Sequence, residues 1–92
     1  MERTNISELK SKLNQEVLLQ GWVHGLRAQS KIKFLQLRDF TGVVQCITLD
    51  LKLFDVFAKL MNESVISVVG LVKPANIKSE EITLKDFEIE IK

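Results

Sequence analysis

The residues best equipped for chemistry lie in one run, GWVHGLRAQSKIKFLQLRDFTGVVQ, residues 21–45. Between Glu16 and Asp39 there is no acidic side chain, while Arg27, Lys31, Lys33 and Arg38 all fall in that window. A local excess of cations in a chain whose net charge is only +1 marks a footprint for a polyanion rather than a generally basic coat. At period two, residues 32–39 divide into Lys33, Leu35 and Leu37 on one face and Ile32, Phe34, Gln36 and Arg38 on the other. The two leucines claim the core side. The opposite face then carries an aromatic ring, an amide and a guanidinium in a row, a set that can stack on an unpaired base, read its edge and neutralise a phosphate.

Other chemistries are poorly provided for. His24 has no nucleophile and carboxylate spaced for a triad or a general acid pair. One histidine and one cysteine supply too few soft ligands for a zinc site, so no metal and no cofactor is expected. A lone Cys46 cannot form an internal disulfide, and with no signal peptide in the sequence the expected setting is reducing and cytoplasmic. No apolar run is long enough to span a bilayer.

The elements that must hold the row in place can be read in chain order. Ninety-two residues with 46% apolar and 27% charged side chains suit one soluble domain with a single core. Residues 1–15 form an N-terminal helical segment, with Ile6, Leu9 and Leu13 on one face and a cap from Thr4, Asn5 or Ser7. Asn14 and Gln15 turn into a first strand, residues 16–28, where Gly21 and Gly25 mark a bulge or a sharp coil. The second strand, 32–39, and the third, 43–49, form a hairpin about Asp39-Phe40-Thr41-Gly42. Residues 50–61 change to a helical period, with Asp50 as N-cap, Leu51, Phe54, Ala58 and Met61 on the apolar face and Asn62 as a left-handed terminator. A fourth strand, 63–73, stops at Pro74, and a fifth, 80–92, shifts phase near Lys85 and Asp86, where a bulge is expected. Five strands with a helix between the third and fourth match the five-stranded Greek-key barrel of the OB fold, so the predicted class is all-β with residues 16–92 as the barrel.

At this level several residues have plain readings. Trp22 fills the barrel wall. Arg38 and Asp39 form ion pairs around the hairpin. His24 lies at the surface and Cys46 in the core. Glu80, Glu81, Glu88 and Glu90 make a solvated face guarding the barrel edge. Gln45 is in phase with Val43 and Ile47, and a solvated or edge-pairing amide fits that pattern as well as a base contact does.

The run GWVHGLRAQSKIKFLQLRDFTGVVQ, with its GWV, F-x-x-L-R-D and G-x-x-Q order, resembles the N-terminal anticodon-binding OB domain of the class II aspartyl- and asparaginyl-tRNA synthetases, with a flavour of the archaeal-type group. ESVISVVGLVKP and EEITLKDFEIEI extend the likeness over essentially the whole chain. The resemblance implies that Phe34 stacks on the central anticodon uridine, that Gln45 hydrogen-bonds the same base, that Arg27 lies near the anticodon backbone, and that Glu81 reads the first anticodon base. Lys31, Lys33 and Lys73 become phosphate contacts. The family often has further arginines where this chain has Lys73, Pro74 and Ala75, and its T-G-x-x-E approach to the last strand is here Ile77-Lys78-Ser79-Glu80-Glu81. The partner implied is the anticodon loop of aspartate tRNA, asparagine tRNA or both. The family's catalytic domain, with its ATP and magnesium, is absent from these 92 residues. The chain by itself is therefore expected to be a monomeric non-enzyme, part of a homodimeric ligase. The competing readings are a natural or engineered OB-fold protein-interaction module and a generic single-strand binder.

Overall fold

The computed structural model describes every residue except 1, 29–31, 51, 54, 55, 57, 58, 62, 79–81 and 92. Among the described residues five strands are present: β1, Glu16–Ala28; β2, Lys33–Asp39; β3, Gly42–Thr48; β4, Val65–Pro74; and β5, Phe87–Ile91. They close into a barrel in the order β1-β2-β3-β5-β4, with β4 returning to β1. Every neighbouring pair is antiparallel except β3 with β5. The predicted OB-type barrel is the one observed.

Period-two alternation sets the wall. Val17, Leu19 and Val23 of β1, Leu35 and Leu37 of β2, Val44 and Cys46 of β3, Val68 and Val72 of β4 and Ile89 of β5 point inward and are buried. Burial also pushes the Cys46 thiol pKa far up by desolvation, so this sulfur is core and not a nucleophile. Gly21 sits where any Cβ would collide with the Arg38 carbonyl of β2, so the tight coil of β1 requires a residue without a side chain. The register of β1 on β2 slips between Val23 and Gly25, leaving His24 as the extra residue of the bulge that the glycines foreshadow.

One end of the barrel is plugged by the N-terminal segment, a 3-10 helix over Ile6–Lys12 that buries Ile6 and Leu9. Leu13, expected on the same face, is 39% exposed, because the helix ends one residue earlier and Asn14 reverses the chain at φ 65. The plug is tied down by Asp39. Its carboxylate accepts the backbone N–H of Ile6 at 2.9 Å, of Thr41 at 2.7 Å and of Gly42 at 3.1 Å, and Asp39 is itself buried. The expected ion pair with Arg38 is replaced by a cap: one acid serves a helix start and a two-residue hairpin turn together.

At the other end, Asp50 caps as predicted, accepting the Lys52 N–H at 2.9 Å, and residues 52, 53, 56 and 59 are helical. Leu53, Val56 and Leu60 border a cavity of about 190 Å³ shared with Leu35, Ile66, Val68 and Ile91. Leu51, Phe54, Ala58 and Asn62 lie outside the described residues, and Met61, expected on the apolar face, is 72% exposed. Among the described residues of this segment Glu63 is left-handed, φ 71.

The last strand is shorter than its alternation suggests. Thr83 leaves the sheet to bond Val43, its Oγ1 accepting the Val43 N–H at 2.5 Å and its own N–H donating back to the Val43 carbonyl at 3.0 Å. That detour lets Ile82 enter the core at 1% exposure. Pairing resumes irregularly, with the Asp86 and Lys85 carbonyls accepting from Ala75 and Ile77, before β5 proper begins at Phe87.

Candidate nucleic-acid interface

The inward alternation of β2 and β3 forces Phe34, Gln36, Gln45 and Ile47 onto the outer face, where each is half-buried. Cross-strand register then decides who meets whom. Arg27 of β1 is paired with Phe34, Phe34 with Ile47, and Ile47 with Glu90. In the adjacent row Gly25 pairs with Gln36, Gln36 with Gln45, Gln45 with Glu88 and Glu88 with Lys73. Phe34 and Gln45 are thus diagonal neighbours, roughly 7 to 8 Å apart in an ordinary sheet, within the reach of a planar group lying on the ring. At Gly25 the place a Cβ would take is filled by the Gln36 side chain, whose Oε1 would lie 2.7 Å from it.

Three of the residues singled out from sequence, Arg27, Phe34 and Gln45, are therefore brought together on one surface. Arg27 is exposed at the edge of that group. Lys33 belongs to the inward phase and stands half-buried at the barrel rim, paired with Thr48. Lys31 and Glu81 lie outside the described residues.

The charge pattern differs from the sequence expectation. In sequence the cations at positions 27, 31 and 33 have no acid beside them, but the parallel pairing of β3 with β5 delivers Glu88 and Glu90 to the outer face that carries Arg27. Glu88 is not merely solvated: its Oε2 accepts the Gln45 Nε2–H at 3.2 Å. Glu90 forms an ion pair with Lys73, so this candidate phosphate contact is already matched by a carboxylate. Nor does β5 form an edge, since it is hydrogen-bonded on both sides. What sequence reasoning missed was Glu88, and only the topology could have revealed it.

A second aromatic and cation pair lies four residues down β2. Trp22 is half-buried in the outer wall, with the Arg38 guanidinium over its ring at 6.0 Å from the centroid. At the hairpin tip Phe40 is 75% exposed and has Arg3 over its ring at 5.8 Å. Among the described residues no group of three or more His, Cys, Asp or Glu could hold a metal ion, and no helix is long and apolar enough to cross a membrane.

A closed five-stranded barrel with one parallel pair and an aromatic, amide and cation row on its outer face is an OB fold of the kind that binds nucleic acid. The chain belongs to the family described as the OB-fold nucleic acid binding domain of the tRNA anticodon type, whose model matches residues 17–92. It is 38% identical to an aspartate–tRNA ligase from Mesoplasma florum over 100% of this chain and 16% of the relative. It is 34% identical to an asparagine–tRNA ligase from Desulforamulus reducens over 97% of this chain and 22% of the relative. Its fold superposes on the aspartyl-tRNA synthetase from Entamoeba histolytica with a TM-score of 0.85 and 26% identity, over 99% of this chain and 20% of that one. The chain thus spans about a fifth or less of the length of these relatives, and the likeness covers aspartate and asparagine enzymes without sorting it into the archaeal-type branch.

Proposed function

We propose that this domain binds the anticodon loop of aspartate or asparagine tRNA, with Phe34 stacking on the central base, Gln45 hydrogen-bonding its edge, Arg27 holding the adjacent phosphate and Glu81 reading the first base. The observation that carries this reading is the diagonal placement of Phe34 and Gln45 on an outer face whose inward neighbours, Leu35 and Cys46, already make the core. A ring and an amide left outside a complete core are free to serve a ligand. Membership of the anticodon family and relatives named as tRNA ligases support the choice of RNA.

In that role the domain supplies recognition only. ATP, magnesium and aminoacyl transfer belong to the catalytic part of a cytoplasmic ligase, and the 92-residue chain is expected to be silent in pyrophosphate exchange. The deciding experiment is titration of the chain with an anticodon stem-loop bearing a central uridine and with the same loop bearing another base there. Tighter binding of the uridine loop is expected. Equal binding of both would sink base reading, and no binding of either would return the chain to the class of protein-interaction modules.

A further inference from the structure

We infer that Glu88 fixes the orientation of the Gln45 amide and is thereby a positioning residue for the choice of uridine over cytidine. The inference rests on the proposed reading of the central base and adds a residue to it. Gln45 and Glu88 face each other across the parallel seam, and Gln45 Nε2 lies 3.2 Å from Glu88 Oε2. A carboxylate offers only acceptors, while a glutamine amide has one end that donates and one that accepts. The nitrogen end of Gln45 must therefore face Glu88, because the reverse orientation would set a carbonyl oxygen against a carboxylate oxygen with no proton between them.

This has a consequence for the other side of the amide. With one N–H committed to Glu88, Gln45 presents its second N–H and its carbonyl oxygen outward, in a fixed order along the sheet. The two pyrimidines differ in that order. Uracil offers the O4 acceptor and then the N3–H donor, whereas cytosine offers the N4–H donor and then the N3 acceptor. For a ring held in one position by stacking on Phe34, one amide orientation satisfies uracil and the flipped orientation satisfies cytosine. A glutamine free to turn would accept both; a glutamine held at one end accepts one.

Glu88→Gln tests this with almost no change of shape. A carboxamide at position 88 can meet either end of the Gln45 amide, so the constraint disappears while both side chains keep their length. The probes are two anticodon stem-loops that differ only in carrying uridine or cytidine at the centre. The wild-type chain is expected to favour uridine about tenfold, the size of one matched hydrogen-bonding pair, and Glu88→Gln to reduce that ratio to about twofold. Absolute affinity for both loops should stay level or rise, since a negative charge has left the surface. Glu88→Asp keeps the charge but withdraws it by one methylene and should also lower the ratio, which separates reach from charge.

A second readout needs no RNA. In the free wild-type chain the Gln45 Nε2 proton accepted by Glu88 should lie downfield of its value in a solvated glutamine and exchange slowly, and in Glu88→Gln the Gln45 amide protons should move to values averaged over the two orientations. An unchanged uridine preference in a folded Glu88→Gln, or an unchanged Gln45 amide spectrum, overturns the orienting role while leaving the base-reading proposal standing. Equal affinity of the wild-type chain for both loops overturns the two together.

Discussion

Asp39 and Glu88 are both carboxylates that accept N–H groups on the same barrel, and they differ in what stands on the other end of the bond. Asp39 is buried and receives backbone N–H groups from Ile6, Thr41 and Gly42, so its partners are parts of the fold. Glu88 is half-buried and receives a side-chain amide that otherwise faces solvent. A backbone donor left without its acceptor costs stability wherever the chain is used, whereas a released side-chain amide merely turns. The same chemical bond therefore secures architecture at one site and holds the orientation of a surface amide at the other.

Breaking the architectural acid should give the largest effect. Asp39→Ala strands three N–H groups and unfastens the N-terminal plug, and it is expected to cost about 3 kcal/mol in chemical denaturation while leaving the uridine preference of the folded fraction intact. A variant as stable as wild type would mean that water replaces the carboxylate without loss. Next comes Phe34→Ala, with about 2 kcal/mol lost in stem-loop affinity by isothermal titration if the ring stacks as proposed, and little change in melting, because a half-buried ring on the outer face adds little to the core. If that substitution instead unfolds the barrel and spares the affinity of what remains folded, the ring is structural.

Gln45→Ala should be smaller, about 1 kcal/mol and confined to the uridine loop, since it deletes the reader without the platform. Arg27→Ala should weaken all loops alike and lower the slope of log affinity against log salt by about one, which a shared salt titration will show. The smallest effect is expected from Lys73→Ala. Its ion pair with Glu90 is solvent-exposed on both sides, so stability should move by less than about 0.5 kcal/mol. A drop several times larger would promote that pair to a structural tie.

Much of the fold was legible because it is written in period two. Leu35 against Phe34, and Cys46 against Gln45, are adjacent residues whose opposite burial follows from alternation alone, and the glycines at 21 and 25 announced a coil and a bulge that β1 indeed has. Family likeness added the expected function to that frame. What stayed hidden were contacts between residues far apart in the chain. Asp39 reads in sequence as a member of ion pairs around the hairpin, while one of the N–H groups it accepts, that of Ile6, lies 33 positions away. Glu88 looked like one of several solvated acids until β5 was laid parallel to β3, 43 positions from Gln45. The detour of Thr83 to Val43 was equally invisible, since alternation continues through Ile82 and Leu84 as though the strand did too.

The one parallel seam, where β3 meets β5 through Gln45, Cys46 and Ile47, also joins residues that lie far apart in the sequence. The platform of Arg27 and Phe34 and the amide of Gln45 belong to β1, β2 and β3, three consecutive strands that pair locally. Glu88 arrives only when the last strand slots between β3 and β4 and completes the cylinder. The groups proposed to bind a base thus sit on neighbouring strands, whereas the carboxylate proposed to orient Gln45 comes from a strand far along the chain.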